Sequence, residues 1–255
     1  QPTTGLNDPN ISAPIANPSS TQNYTLTATQ TSSGCTQSDQ VLVTVNLTVP
    51  TAIAGTAFLK TCTQNQNGAN IGFAGQTGAT YAWFPTTGLA SPSASLTNAN
   101  PSVTTTYTLT ATNTASGCTA SNAVLVTVDT EVPSVNAGSD FNKTCTQNPN
   151  GLQIGMTAVT GVTYVWSPTT GLSPATASNP IANPTSNQTY TLSATDNSSG
   201  CIATDQVVVT VNITPPAVEA GNNFTIDCIQ NTSGAAIGMN AVNGVTYSWS
   251  PITGL

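Results

Sequence analysis

Apolar and hydroxyl-bearing residues alternate over Tyr107-Thr-Leu109-Thr-Ala111-Thr, and again over Val124-Leu-Val126-Thr-Val128 after a short turn. A period of two sends successive side chains to opposite faces of an extended chain, so these segments predict a β-hairpin. Upstream, Ile71-Gly-Phe73-Ala, a turn at Gln76-Thr-Gly78 and Thr80-Tyr81-Ala-Trp83 predict a second hairpin with Trp83 turned inward. The Pro-, Ser- and Asn-rich stretch from Pro85 to Pro101 predicts short edge strands and turns. No window has helical periodicity. Short strands separated by turns every ~8 to 12 residues predict an all-β sandwich of immunoglobulin type.

The pattern recurs. Pro-Thr-Thr-Gly-Leu stands at 2–6, 85–89 and 168–172, and Pro-Ile-Thr-Gly-Leu at 251–255, each 83 residues after the last. The same offset relates Tyr24, Tyr107 and Tyr190; Cys35, Cys118 and Cys201; Cys62, Cys145 and Cys228; and Trp83, Trp166 and Trp249. No insertion or deletion separates the copies. Because the chain begins and ends in the same motif, both ends are expected to be cut points inside a domain. Pro-bearing linkers are expected at Val49-Pro50, Val132-Pro133 and Thr214-Pro215-Pro216. They divide the chain into the C-terminal part of one sandwich (1–49), two complete sandwiches (50–131 and 132–214) and the N-terminal part of another (215–255).

Composition removes most chemistry. Of 255 residues only 4% are charged: two lysines (Lys60 and Lys143), nine acids, no arginine and no histidine. General acid-base catalysis, nucleophile activation and phosphate clamping all draw on residues that are nearly absent, so the chain is read as no enzyme, with no catalytic residue and no cofactor. A net charge of −7 gives no footprint for nucleic acid or anionic lipid. The 38% of apolar residues suffices for packed cores. No apolar run approaches the ~20 residues of a membrane helix. Six cysteines without a signal peptide point to a piece of a secreted protein.

Trp83, Trp166 and Trp249 are read as core residues, although one tryptophan per copy could also serve as a sugar-stacking platform. Tyr107 and Tyr190 begin the penultimate strand, where a hydroxyl commonly ties back to the backbone, and are likewise read as structural. Without a Cys-x-x-Cys pair or a histidine the cysteines make no zinc site, and Cys35, Cys62, Cys118, Cys145, Cys201 and Cys228 are read as disulfide-forming. Two connectivities stay open: Cys62–Cys118 with Cys145–Cys201 inside single domains, or Cys62–Cys201 across a junction. Cys35–Cys62 is a weaker third. Cys62, Cys118, Cys145 and Cys201 are all expected to be bridged. Asp39 and Asp205 share a repeat position that is Asn122 in the middle copy, too few carboxylates for calcium, and no metal site is expected.

The run Tyr-x-Trp-Ser-Pro-x-Thr-Gly-Leu, then Thr-Tyr-Thr-Leu-Thr-Ala-Thr, then Ser-Gly-Cys, then Val-Val-Val-Thr-Val resembles the PKD-like and immunoglobulin-like tandem repeats of giant Bacteroidota surface proteins. The nearest family is the gliding-motility adhesins of the SprB type. The resemblance implies an extracellular, cell-surface location, type IX secretion, and neighbouring repeats, surface polysaccharide or other filament subunits as partners. The function expected is a stalk, with multivalent glycan-binding repeats or spacer domains of a large secreted hydrolase as alternatives. Short Pro-bearing linkers predict a fixed angle between domains and a rod that advances roughly 35 to 45 Å per repeat.

Overall fold

The computed structural model describes residues 3–252, and among them every regular element is a β-strand. Residues 1–49 contribute a hairpin of β1 (Gln22–Thr29) and β2 (Thr36–Val43). The copy at 50–131 holds β3 (Phe58–Thr61), β4 (Ala69–Gly72), β5 (Ala79–Phe84), β6 (Leu96–Ala99), β7 (Thr105–Asn113) and β8 (Thr119–Asp129). The copy at 132–214 holds β9 (Phe141–Thr144), β10 (Leu152–Gln153), β11 (Val162–Ser167), β12 (Leu172–Ser173), β13 (Ile181–Ala182), β14 (Gln188–Asp196) and β15 (Ile202–Asn212). Residues 215–252 carry no assigned strand.

In the copy at 50–131 a four-stranded sheet runs β3-β8-β7-β5 and a two-stranded sheet pairs β4 with β6. The next copy repeats this as β11-β14-β15-β9, with a smaller sheet β10-β13-β12. The hairpin β7–β8 is antiparallel with Tyr107 opposite Val124, whereas β3 lies parallel to β8 with Phe58 opposite Val126. Alternation explains the layering. Tyr107, Leu109 and Ala111 of β7 are fully buried, with the threonines between them turned away. They meet Trp83 of β5, Val124 and Val126 of β8, Ile71 of β4 and Ala99 of β6, so the inward faces of both sheets close one core. Trp166, Tyr190, Leu192, Val207, Val209, Ile154 and Ala182 build the same core one period later. Each fully buried large side chain contributes roughly 1.5–3 kcal/mol of transfer free energy. The fold is an immunoglobulin-like β-sandwich.

The second hairpin expected from the sequence does not form. Ile71 lies in β4, which pairs with β6, while Trp83 lies in β5, which pairs with β7. The two segments thus belong to opposite sheets, and the Gln76-Thr-Gly78 turn joins the layers. Gly72 explains why: at φ 95° it ends β4, and a Cβ there would stand 2.0 Å from the Ser95 carbonyl oxygen and 3.1 Å from the Trp83 ring. Without a side chain the strand end can take the tryptophan against its backbone.

Contacts divide the chain into two compact units. One takes in the chain to Ser134 together with Gly161–Thr163 and Thr195–Ala203; the other takes in Val135–Thr160, Tyr164–Ala194 and the chain from Thr204 onward.

Candidate functional site

The parallel pairing of β3 with β8 decides the cysteine chemistry. It puts Cys62, just past β3, level with Thr130, just past β8, and the sulfur lies 4.0 Å from the Thr130 carbonyl oxygen. Cys118 precedes the first residue of β8. An 11-residue strand lies between them, and at a rise of ~3.3 Å per residue it holds them roughly 35 Å apart, against a limit of about 7 Å between bridged Cα atoms. Cys62–Cys118 is therefore excluded. The same holds for Cys145, whose sulfur lies 3.8 Å from the Ile213 carbonyl oxygen past β15, and Cys201 ahead of β15.

Cys62 bonds Cys201 instead, with an S–S distance of 1.97 Å and Cα atoms 5.0 Å apart, across 139 residues of sequence. The bridge joins the copy at 50–131 to the copy at 132–214, and it disposes of Cys35–Cys62 as well. Cys35, Cys118, Cys145 and Cys228 are unbridged. Cys118 and Cys145, expected to be bridged, have no partner among the described residues, because each faces the pole opposite the other cysteine of its own copy.

The turn that carries Cys201 is shaped for this contact. Cys201 is fully buried, and the Thr63 hydroxyl donates to the Ser199 carbonyl at 3.3 Å. Gly200 has φ 70°, and a Cβ there would approach the Thr63 methyl to 2.5 Å, so the glycine of Ser-Gly-Cys is needed for both backbone shape and fit. Asp196 Oδ1 accepts from the Ser198 hydroxyl at 2.5 Å and from the backbone N–H groups of Ser198 and Ser199 at 2.8 and 2.9 Å. The Ser198 hydroxyl first, then these amides, lower its pKa to about 2.

These shifts set a pH profile. A lowered carboxylate contributes stability that is present above its unfolded value and lost as pH falls from about 4 toward about 2, as for Asp196. Asp227 acts in the same direction, through N–H donors from Gln230 and then Ile229. Burial raises the Tyr107 and Tyr190 hydroxyls above 10.0. Their contribution is complete below that value and is lost as pH rises past it. With no histidine in the chain, melting temperature is expected to stay flat from about pH 5 to 8 and to fall at both extremes; thermal melts across pH measure this.

The candidate core residues occupy defined places. Trp83 and Trp166 are buried, their indole N–H groups donating to the carbonyls of Ala94 at 2.9 Å and Ala177 at 3.1 Å. The hydroxyls of Tyr107 and Tyr190 each donate at 2.7 Å to the carbonyls of Thr87 and Thr170. This accounts for the repeated Pro-Thr-Thr-Gly-Leu: its second threonine supplies the acceptor. Its glycine, Gly88 at φ 80°, sits where a Cβ would come 3.0 Å from the tyrosine oxygen. Trp249, read from the sequence as core, is instead 40% exposed.

Several roles escaped the sequence reading. Lys60 and Lys143 are one period apart. Lys143 is only 6% exposed and donates to the Pro184 carbonyl at 2.8 Å; Lys60 donates to the Pro101 carbonyl at 2.9 Å and to Asn100 Oδ1. The only two cations of the chain are therefore spent on backbone carbonyls, and their 83-residue spacing was the available signal. Asn65, Asn148 and Asn231 take left-handed φ near 50° and reach back to the carbonyls of Leu59, Asn142 and Thr225.

Asp205 Oδ2 accepts from the Ala137 N–H at 2.8 Å, and Asn122 Oδ1 from the Ala54 N–H at 2.9 Å. The position anchors the first segment of each copy to the last strand, a task that carboxylate and amide perform equally. No cluster of metal-binding side chains occurs among the described residues. Asp205→Asn should therefore leave stability within about 0.5 kcal/mol, whereas Asp205→Ala, which strands a backbone donor, should cost about 1–3 kcal/mol. EDTA should not move the melting temperature of either variant.

No protein-family description and no curated protein matches the chain. Among solved structures it is similar to mouse clustered protocadherin PcdhgC3 EC1-3 (12% identity, 75% of this chain and 77% of that one, TM-score 0.39). It is similar also to a three-Ig titin fragment (12%, 76% and 75%, 0.36) and to Drosophila N-cadherin EC1-4 (11%, 76% and 58%, 0.38). None of these likenesses is close enough to carry a function across.

Proposed function

We propose that this chain is a stretch of the load-bearing stalk of a long, secreted cell-surface adhesin, of the gliding-motility kind exported by type IX secretion. The observation that carries the reading is the Cys62–Cys201 bridge between successive copies. An ordinary domain staple closes a loop inside one core; this one makes the link between two cores covalent at a second point, which is useful to a fibre under tension and to little else. A disulfide of this kind also fits an oxidising, extracellular setting.

Uniform geometry supports the same reading. The bounds of β3, β5, β7 and β8 recur in β9, β11, β14 and β15 after one period, so these strands and the connections between them keep their length. Binding loops diversify, whereas a spacer repeats. The glycan-binding alternative would need an exposed aromatic in every copy. Trp83 and Trp166 are buried, and Phe84, 78% exposed, is replaced by Ser167 and Ser250 one and two periods on. Spacer domains of a large hydrolase would share the fold but gain nothing from the bridge.

Electron microscopy of the chain, oxidised and reduced, tests the stalk. A single narrow distribution of angles at the junction of 50–131 with 132–214 is expected while the bridge is intact, and a broader one after reduction. A broad distribution in the oxidised protein would sink the proposal.

A further inference from the structure

Each complete copy lays its first strand parallel to its last. β3 runs beside β8 from Phe58 opposite Val126 to Thr61 opposite Asp129, and β9 runs beside β15 from Phe141 opposite Val209 to Thr144 opposite Asn212. A pull on a lone copy would enter at the start of the first strand and leave at the end of the last. Parallel strands drawn apart in that way slide along each other, and their evenly spaced bonds take the load together. That pair is what would have to give before the core opens.

The bridge changes where the load goes. Cys62 directly follows β3 and Cys201 directly precedes β15. Tension that arrives along β3 leaves it at Cys62, crosses the sulfur atoms, enters β15 at Ile202 and leaves it at Asn212. Each of these strands is then held at both of its own ends, and neither is drawn along its neighbour. Both are already extended. At a rise of roughly 3.3 Å per residue against a limit of about 3.6 Å, the 11 residues of β15 can lengthen by only about 3 Å. Packing keeps the two strands seated: Val207 and Val209 of β15 are fully buried, Thr61 of β3 is 2% exposed, and Lys60 of β3 donates to the Pro101 carbonyl.

We propose that the bridge joins β3 and β15 into one taut strap, so that both complete sandwiches stay folded under forces that unfold them once the bridge is cut. Everything between Cys62 and Cys201 hangs from the strap unloaded, including β8 and β9, the other members of the two parallel pairs. The cores around Trp83 and Trp166 therefore stay closed under tension, and no apolar surface is opened to neighbouring chains. The placement of the cysteines is what this requires, since a bridge that began before β3 or ended after β15 would leave these strands out of the load path. The proposal rests on the stalk reading only for the source of the tension.

The chain held at its two ends tests this, at a constant force that unfolds both copies of the reduced protein. A dithiol reductant is then added to the oxidised chain. Cys62 is half-buried, and exchange at the bridge returns two protein thiols while the dithiol becomes a disulfide. Folded copies should answer in sequence. Cleavage first frees only residues 130–140, a step below about 4 nm, and two later, separate steps of roughly 20–25 nm follow as one copy and then the other gives way. Copies already unfolded behind the bridge would instead release about 50 nm in a single step at cleavage, which overturns the proposal. Val126→Ala, which opens a gap opposite Phe58 in the parallel pair, should shorten the delay before one of the two late steps several-fold and leave the other unchanged. Equal delays in the variant and the parent would show that this pair does not take up the load when the strap is cut, and would also overturn it. The junction angle that tests the stalk is read without load, so either result can fail alone.

Discussion

Replacing Trp83 or Trp166 by alanine is expected to melt the copy that carries it, while Trp249→Ala leaves melting almost unchanged. Trp83 is 3% exposed and Trp166 2%, each packed among residues of both sheets, so truncation removes transfer free energy and leaves a cavity that the surrounding strands cannot fill. Such changes cost about 3–5 kcal/mol. A sandwich of this size holds only about 4–12 kcal/mol in all. The indole N–H bonds to Ala94 and Ala177 add stranded carbonyls to the loss. Trp249 is 40% exposed and loses far less on truncation. Calorimetry should therefore show one domain transition lowered by tens of degrees or absent in each core variant, with the other copy's transition in place. A cost below about 1 kcal/mol at Trp83 would mean that the two sheets do not close on this residue.

Much of this core was legible because its signal is local. The alternation over Tyr107 to Thr112 and Val124 to Val128 has only one half-buried solution, and β7–β8 adopts it. The strand partners of Ile71 and Trp83 were not legible, since period-two patterning names the inward face but not the neighbouring strand, and the two segments went to opposite sheets. Disulfide connectivity turned on one non-local fact, the parallel placement of β3 beside β8, which sends the two cysteines of a copy to opposite poles. From sequence, both connectivities satisfied the count. Lys60 and Lys143 were read only as the sparse cations of an acidic chain. Their role as donors to the carbonyls of Pro101 and Pro184 depends on a turn whose path no spacing rule encodes.

The most direct test of a covalent stalk is single-molecule extension of the chain held at its two ends, with and without reductant. With Cys62–Cys201 intact, tension passes from Cys62 through the sulfur atoms to Cys201 and bypasses the 139 residues between them. At ~3.5 Å per extended residue that segment stores about 50 nm of contour length, which no force below that of bond rupture can release. The fully unfolded length in reductant should therefore exceed that of the oxidised chain by about 50 nm, and the same increment should appear in a Cys62→Ser variant without reductant. Equal unfolded lengths in the two conditions would contradict the bridge, and with it the claim that successive copies share a covalent load path.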